Sequence, residues 1–520
     1  METQAQRQQF ARTGWGLERR AAALERFLER HSTWVLVLWS VVYFGGTMLR
    51  AHAYPFWYDE IETIVEARQP TISSAIHALS DVDWMSPVNR VVFYFTHRLL
   101  GDGEVAFRIP AMIAFWVFSI CLFLLARRRV SILFALMAML LPFASAFQAY
   151  SYEARSYAFM LGFGGIALLS WQAAAEGAGR PWSLAGLAAG IAGAVAFHYW
   201  AVLIYLPIGG AEVCRSVRRR GIDWPVWAAL LAGGMSLAAS LPLILYGLRT
   251  WSLGGADFQA HPRSYLEFYR VEFRVFGAFA VPAAVALAAW FALGGRKEEP
   301  AGARRPTIPD YEWVATSLLM LIPVAAVSIA LASPHKTFML RYAALAAAGY
   351  ALLGSFLAAH FAGRRSAVGV ACVVGALAPF TYLMTHPGHY RNRFEQAVLL
   401  KPALEKEFVV VGSPPQFLEL WYYAPDGLKP HLLVIPRDAR RGWEYPFLDR
   451  FRDLGFLVAA YRDFALPGRS FLLYTEGDSG VAIQRRALQE GGQVETVASS
   501  GNEKLLRVHV ADRPSLRSNP

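Results

Sequence analysis

Cysteine is nearly absent. Cys121, Cys214 and Cys372 are the only three in 520 residues, and they lie in or beside apolar runs at spacings that suit neither a zinc site nor a disulfide framework. Charge is scarce too: 17% of the residues are charged against 55% hydrophobic, and the mean hydropathy is +0.31, outside the usual composition of soluble globular domains. Neither a Gly-rich phosphate loop of Walker type nor a dinucleotide fingerprint occurs, which leaves ATP-driven or nucleotide-sugar chemistry without support. No His/Asp/Glu cluster stands at metal-ligand spacing. The net charge of +11 points to nucleic acid only if the cations form a patch; here the arginines cluster between apolar runs, so no nucleic-acid partner is expected.

Long apolar runs are what the chain has. A first run, Thr33 to Leu49, is followed by others near 105–126, 130–148, 156–172, 184–197, 198–213, 225–246, 275–294, 312–332, 343–362 and 366–385, about eleven candidate spans of a bilayer. Arg7, Arg12, Arg19, Arg20, Arg26 and Arg30 precede the first run. That leader is too long and mixed in charge for a cleaved signal peptide, and no small-residue cleavage site follows. Every second connection is basic: Arg127 to Arg129, Arg180, Arg215 with Arg218 to Arg220, Arg296-Lys297 with Arg304-Arg305, and Arg364-Arg365. Excess Lys and Arg marks the cytoplasmic side, which puts the N-terminus (1–32) in the cytoplasm. The membrane domain is then 33–385, with its long outer loop at 51–104. Beyond His386 polar sequence with strand-like runs at 408–411, 431–435 and 471–474, alternating with helix-like 415–423 and 481–489, predicts a small extracytoplasmic α/β domain over 386–520.

The outer connections carry the unusual residues. Asp59 and Glu60 stand together just beyond the first span, beneath the aromatics Tyr54, Phe56, Trp57 and Tyr58. Ionisable groups at that depth are costly and mark function by default, while an acidic pair also suits the cap of a helix starting near Ile61. The loop continues with Asp81-Val82-Asp83-Trp84-Met85-Ser86-Pro87-Val88-Asn89-Arg90 and closes on Gly103-Glu104-Val105-Ala106-Phe107-Arg108-Ile109-Pro110; Arg108 beside Pro110 reads as an interface anchor. A second outer connection holds Glu153, Arg155 and Tyr157; a third holds His198-Tyr199; a late one holds Lys336, Arg341 and Tyr342. The bland readings are a neutralising Glu153–Arg155 pair, a structural histidine, and cations reaching for lipid headgroups.

In this order, the features resemble the integral-membrane glycosyltransferases of the GT-C fold, in the branch of protein O-mannosyltransferases and lipid A aminoarabinose transferases. The resemblance rests on Asp59-Glu60, Ser86-Pro87, Gly103 to Pro110, Glu153-Ala154-Arg155-Ser156-Tyr157 and Arg341-Tyr342. The family's turn often reads His-Pro-Pro where Met85-Ser86-Pro87 stands here. It implies a polytopic α-helical GT-C protein of a bacterial inner membrane, moving a sugar from a polyprenyl-phosphate donor to a glycan, lipid or protein acceptor at the outer face, with inversion. The family places the base on the first of the acidic pair, so Asp59 is expected to be the base and Glu60 its understudy. Transfer from a lipid phosphate also needs cations for the leaving group: Arg155, Lys336 and Arg341, with Arg90 further out. Asp83 and Glu153 are expected to orient sugar hydroxyls or those cations, and Tyr157, His198, Tyr199 and Tyr342 to complete the substrate site. Some GT-C enzymes use a divalent metal; metal-independent transfer is expected here. The rivals are a transporter or lipid flippase, which would place charges in mid-span and show related halves, and a non-catalytic envelope scaffold.

Overall fold

A computed structural model describes residues 4–79, 86–250, 259–274, 277, 307–333, 336, 338–363, 365–385, 400, 407–435, 444–477 and 479–512. The predicted span 275–294, together with Asp83, Met85, His335, Thr337 and 386–399, lies essentially outside them. Two compact units are present, one of Met1–Ala51, Arg108–Ile244 and Phe258–Pro387, the other of His52–Phe107, Leu245–Asp257 and Gly388–Pro520.

The first unit is helical. Ser32–Ala53, Ala106–Arg127, Tyr157–Glu176 and Tyr199–Arg219 are long and apolar enough to cross a membrane, and Asp310–Met320 with Ile322–Ala332 makes a fifth if its 47° bend is one broken span. Shorter apolar helices are Ile132–Ala144, Trp224–Ala238, Ala346–Ala362 and Ser366–Tyr382. The chain is a polytopic helical membrane protein, and helices stand at the predicted spans among the described residues. Where a span is imperfect, proline is nearby. The α-helix Ile132–Leu140 gives way to 3-10 turns at Leu141–Ala144 and Ala146–Ser151 because Pro142 has no N–H to offer, and Pro323 sits at the start of the second half of the bent pair.

Small residues set the helix spacing. A Cβ on Gly162 would lie 2.5 Å from the Ala114 carbonyl oxygen, and one on Gly190 would lie 2.6 Å from the Ala167 nitrogen, so the Tyr157–Glu176 helix touches both neighbours backbone to backbone. Two ends are closed by distant side chains. Arg108, almost fully buried, donates from Nη1 to the Ala51 carbonyl (2.8 Å) at the end of the first span. Glu18, in the leading helix Gln4–Arg30, accepts the free N–H groups of Ser366 (2.7 Å) and Ala367 (3.1 Å), a carboxylate at the positive end of a helix.

The second unit holds a five-stranded sheet: β1 Val409–Val411, β2 Leu432–Val434, β3 Ser470–Glu476, β4 Gln493–Ser500 and β5 Glu503–His509, in the order β2-β1-β3-β5-β4. β1 runs parallel to β2 and β3; β3, β5 and β4 are antiparallel. Val410, Leu433, Phe471, Leu473, Ile483 and Val508 meet in its core. The predicted strands and the helices Pro414–Tyr423 and Val481–Gln489 are present. The β4–β5 hairpin was not expected: β4 buries neither face well, so its apolar alternation is weak, although the Gly501-Asn502 turn, with Gly501 at φ 57°, is a hairpin signal.

The outer loop belongs to this second unit. Its helices Tyr58–Ala67, Ile72–His77 and Pro87–Leu100 are joined through Arg90, whose Nε lies 2.8 Å from Glu66 Oε1 and whose Nη1 donates to the Ile76 carbonyl, and anchored to the helix Pro414–Tyr423. There the Phe56 N–H donates to Tyr423 Oη (2.6 Å), the Tyr58 N–H to Glu419 Oε1 (3.0 Å), and Tyr422 Oη to the Asp102 carbonyl (3.0 Å).

Candidate functional site

In the second unit the acidic pair opens the helix Tyr58–Ala67, with Asp59 4% and Glu60 0% exposed. The two carboxylates have separate surroundings. Glu60 Oε2 turns back and accepts the Trp57 N–H (3.4 Å), capping the first turn as a glutamate three residues into a helix does. Adjacent helical positions point about 100° apart, so Asp59 is directed elsewhere; its own carbonyl accepts Thr63 Oγ1 (3.0 Å). The segment on which Asp59 stands is fixed on its N-terminal side by the Glu419 and Tyr423 bonds. Arg90 is 1% exposed and held by Glu66 and by the Ile76 carbonyl, which commits it to the loop's interior. Asp83 lies outside the described residues.

In the first unit three connections far apart in sequence meet. Glu153, Arg155 and Tyr157 form a tight turn, with the Arg155 N–H on the Glu153 carbonyl (2.8 Å), that leads into the Tyr157–Glu176 helix. The Tyr157 ring lies 5.2 Å from His198, and His198 lies 5.5 Å from Tyr342. Arg341 Cζ sits 5.6 Å from the Tyr157 ring centre. His198 ends the Arg180–Phe197 helix and Tyr199 begins the 3-10 turn that follows. Burial, then the charges of Arg341 and Arg155, lowers the His198 pKa to about 3. The imidazole is therefore neutral, and two guanidiniums converge on it closely enough to act on its charge. Lys336 is exposed and takes a left-handed backbone, φ 50°, a strained choice for a lysine; its carbonyl accepts the Ala260 N–H.

The structure adds residues to this cluster. Trp200 stacks on Tyr342 at 5.4 Å and 14°. Tyr150 lies 5.0 Å from Tyr157 and feels the charges of Glu272, Glu153 and Arg341. Glu272 is 5% exposed, its Oε2 buried without a hydrogen-bond partner among the described residues; burial raises its pKa to about 7, against the opposing charge of Arg274. Arg50, at the end of the first span, places Cζ 5.2 Å from the Tyr152 ring. No spacing in the sequence singles out Glu272, one of several acidic residues in an aromatic stretch; only burial distinguishes it. Arg50 carried a signal, an arginine at the end of an apolar run, but one shared with ordinary interface anchors. Among the described residues no three His, Cys, Asp or Glu side chains gather as a metal site requires.

Two crystal structures of ArnT from Cupriavidus metallidurans are similar to this chain. The first, in the apo state, is 15% identical, covers 92% of this chain and 98% of that chain, and gives a TM-score of 0.48. The second, bound to undecaprenyl phosphate, is 15% identical over 94% of this chain and 100% of that one, with a TM-score of 0.47. No family model and no curated protein matches the chain.

Proposed function

We propose that the protein is an inverting glycosyltransferase that moves a sugar from a polyprenyl-phosphate donor to an acceptor at the outer face of the membrane. The observation that carries this reading is the convergence of Arg155, Arg341, Tyr157, His198 and Tyr342 from three separate connections of the first unit. Two arginines beside a neutral imidazole and a wall of aromatic rings suit a phosphate ester bearing a sugar: guanidiniums pair with phosphate oxygens through two parallel bonds, and aromatic faces accept a sugar ring. The site carries its charge where a phosphate would leave.

The roles follow from the reaction. The acceptor hydroxyl attacks the anomeric carbon, a new C–O bond forms as the bond from that carbon to the phosphate oxygen breaks, and the hydroxyl proton goes to a base. Asp59 is the base, since Glu60 is engaged in capping the helix. Arg155 and Arg341 stabilise the departing polyprenyl phosphate. Lys336, exposed, meets the phosphate on entry, and Glu153 orients Arg155 or a sugar hydroxyl. Tyr199 completes the wall beside His198. Charge removal at a group acting on the transition state costs about 100- to 1,000-fold in rate.

The test is transfer of radiolabelled sugar from polyprenyl-phosphate donors to membrane extracts by purified protein. Wild-type incorporation that falls by at least about 100-fold in Asp59→Asn, but much less in Glu60→Gln, is expected. Equal incorporation by wild type and Asp59→Asn removes Asp59 as the base, and no incorporation from any donor removes the transferase reading.

A further inference from the structure

The helix Tyr157–Glu176 begins in the cluster described above and ends about 30 Å away, where Glu176 lines a different cavity. This cavity, of about 620 Å³, is bounded by Arg180, Arg215, Arg218, Arg219, Glu176 and Asp310, with Tyr311 and the 307–309 segment along one side. All of it belongs to the first unit. Glu176 is taken by Arg128 and Arg129, so the four arginines share three carboxylates, Asp223, Glu212 and Asp310. Asp223 serves three of the four: it accepts from Arg215 at 3.0 Å and Arg219 at 3.2 Å and pairs with Arg180. Arg215 is also held by Glu212 (3.0 Å), and Arg218 pairs with Asp310. Burial would raise the Asp223 pKa, but hydrogen bonds from Arg215 and the charge of Arg180 bring it below the usual carboxylate range. One carboxylate shared among three guanidiniums leaves N–H donors over, because each arginine offers five. The order of the four is also uneven. Arg215 is 4% exposed and locked from behind, whereas Arg218 and Arg219 have side chains 67% and 54% exposed at the mouth.

The surroundings indicate where an anion would come from. Trp182, two residues after Arg180, is 85% exposed; Trp224, next to Asp223, is 70% exposed; Val217, between the arginines, is 73% exposed. Exposed tryptophans at the end of an apolar helix mark the headgroup level of a bilayer, and basic clefts between spans at that level hold lipid phosphates. We propose that this cavity binds the phosphate of an anionic membrane lipid, with Arg218 and Arg219 reaching its oxygens and Arg180 and Arg215 fixing the cavity behind them. The headgroup sits in the cavity and the acyl chains run along the exposed apolar side of the Tyr205–Arg219 helix. The site lies at the opposite end of the Tyr157–Glu176 helix from the proposed transfer site and does not depend on that reading.

The experiment uses the full chain purified in neutral detergent, with binding of phosphatidylglycerol followed by native mass spectrometry. Arg218→Gln with Arg219→Gln is compared with Arg19→Gln and Arg20→Gln, which removes the same charge from exposed positions of the leading helix. The mouth pair is expected to weaken lipid binding on the order of tenfold, and the control pair to leave it unchanged. Equal weakening by both pairs means attraction to a basic surface without a site, and no weakening by either overturns the proposal. In a second arm, inorganic phosphate replaces the lipid. It is expected to give no protection against thermal unfolding; protection equal to that of the lipid assigns the cavity to a soluble phosphate and overturns the lipid source. Arg218→Lys with Arg219→Lys keeps the charge should the glutamine pair elute as aggregate. It is expected to bind several-fold more weakly through loss of the paired guanidinium bonds, and unchanged binding overturns the role of the two arginines.

Discussion

Glu272 is a buried carboxyl whose titration burial has moved. With its carboxyl buried and its pKa raised to about 7 from 4.5, the folded state holds a proton that the unfolded chain releases at lower pH. Between those two values the native state binds more protons, so stability falls as pH rises, and above about 7 the full penalty remains. Arg274 opposes the shift, and Tyr150 is the neighbouring titratable group that feels its charge. Replacing the carboxyl by an amide removes this titration. Glu272→Gln is expected to unfold at a higher temperature than wild type at pH 8, by the equivalent of a few kcal/mol at most, and at nearly the same temperature at pH 5. A pair of melting curves at each pH checks this; equal differences at both values would mean that the carboxyl is not titrating. His198 shows the same physics with opposite sign, a base kept neutral by burial and by two arginines. Neither shift was legible in the sequence, since a lone histidine and one glutamate among several carry no sign of burial. Asp59 and Glu60 were legible as a pair, but only the helix cap showed that they do different things.

At the level of elements, the glycines of the Tyr157–Glu176 and Arg180–Phe197 helices decide how closely the bundle closes. At Gly190 an added side chain meets backbone atoms of Ala167 at 2.6 and 2.8 Å, and backbone cannot swing aside as a side chain would. Gly190→Leu is expected to cost about 1–3 kcal/mol or more, measured as a lower midpoint of thermal unfolding in detergent, while Gly209→Leu, where nothing lies within 4 Å, should be close to neutral. The helix Pro414–Tyr423 supplies a second element-scale test. Its Glu419 and Tyr423 take the N–H groups of Tyr58 and Phe56, so the chain leading to Asp59 is held by side chains from some 360 residues further on. Loss of one such bond is worth about 1 kcal/mol, and more if the amide stays buried. Glu419→Ala is expected to speed hydrogen exchange in the peptide covering 54–60 by about tenfold, with peptides of the β3–β5 ladder unchanged. Uniform acceleration across the second unit would instead indicate a general loss of stability. Apolar runs and strand- and helix-like periods predicted most of these elements; the cross-links between the outer loop and the later helix have no local pattern and were not predicted.

For the whole molecule, charge sets the expected orientation. The two ends of the Tyr157–Glu176 helix differ sharply, aromatic and mixed in charge at one, arginine-rich at the other, and the excess of arginine predicts that the second end faces the cytoplasm. A reporter enzyme fused after Thr385, active only outside the cytoplasm, is expected to be active. Activity from a cytoplasm-dependent reporter at the same position would reverse the assignment of both faces.

Sequence alone determined that this is a membrane protein with many helices and that a small α/β region follows them. These properties are local: some twenty apolar residues cross a bilayer wherever they occur, and strand and helix periods are read within a few residues. It also singled out Asp59 as a costly charge beside an apolar run, and Arg155, His198 and Arg341 chiefly through the resemblance of their motifs to the GT-C family. Tertiary structure decided which of those candidates share a site. It brought residues 153–157, 198–200 and 341–342 together, consumed Arg90 in a buried pair with Glu66, gathered Arg180, Arg215 and Arg219 around Asp223 with Arg218 beside them at the same cavity, and joined the outer loop to a helix near the other end of the chain. Those outcomes depend on contacts between residues tens to hundreds of positions apart, and burial, pairing and pKa arise only from such contacts.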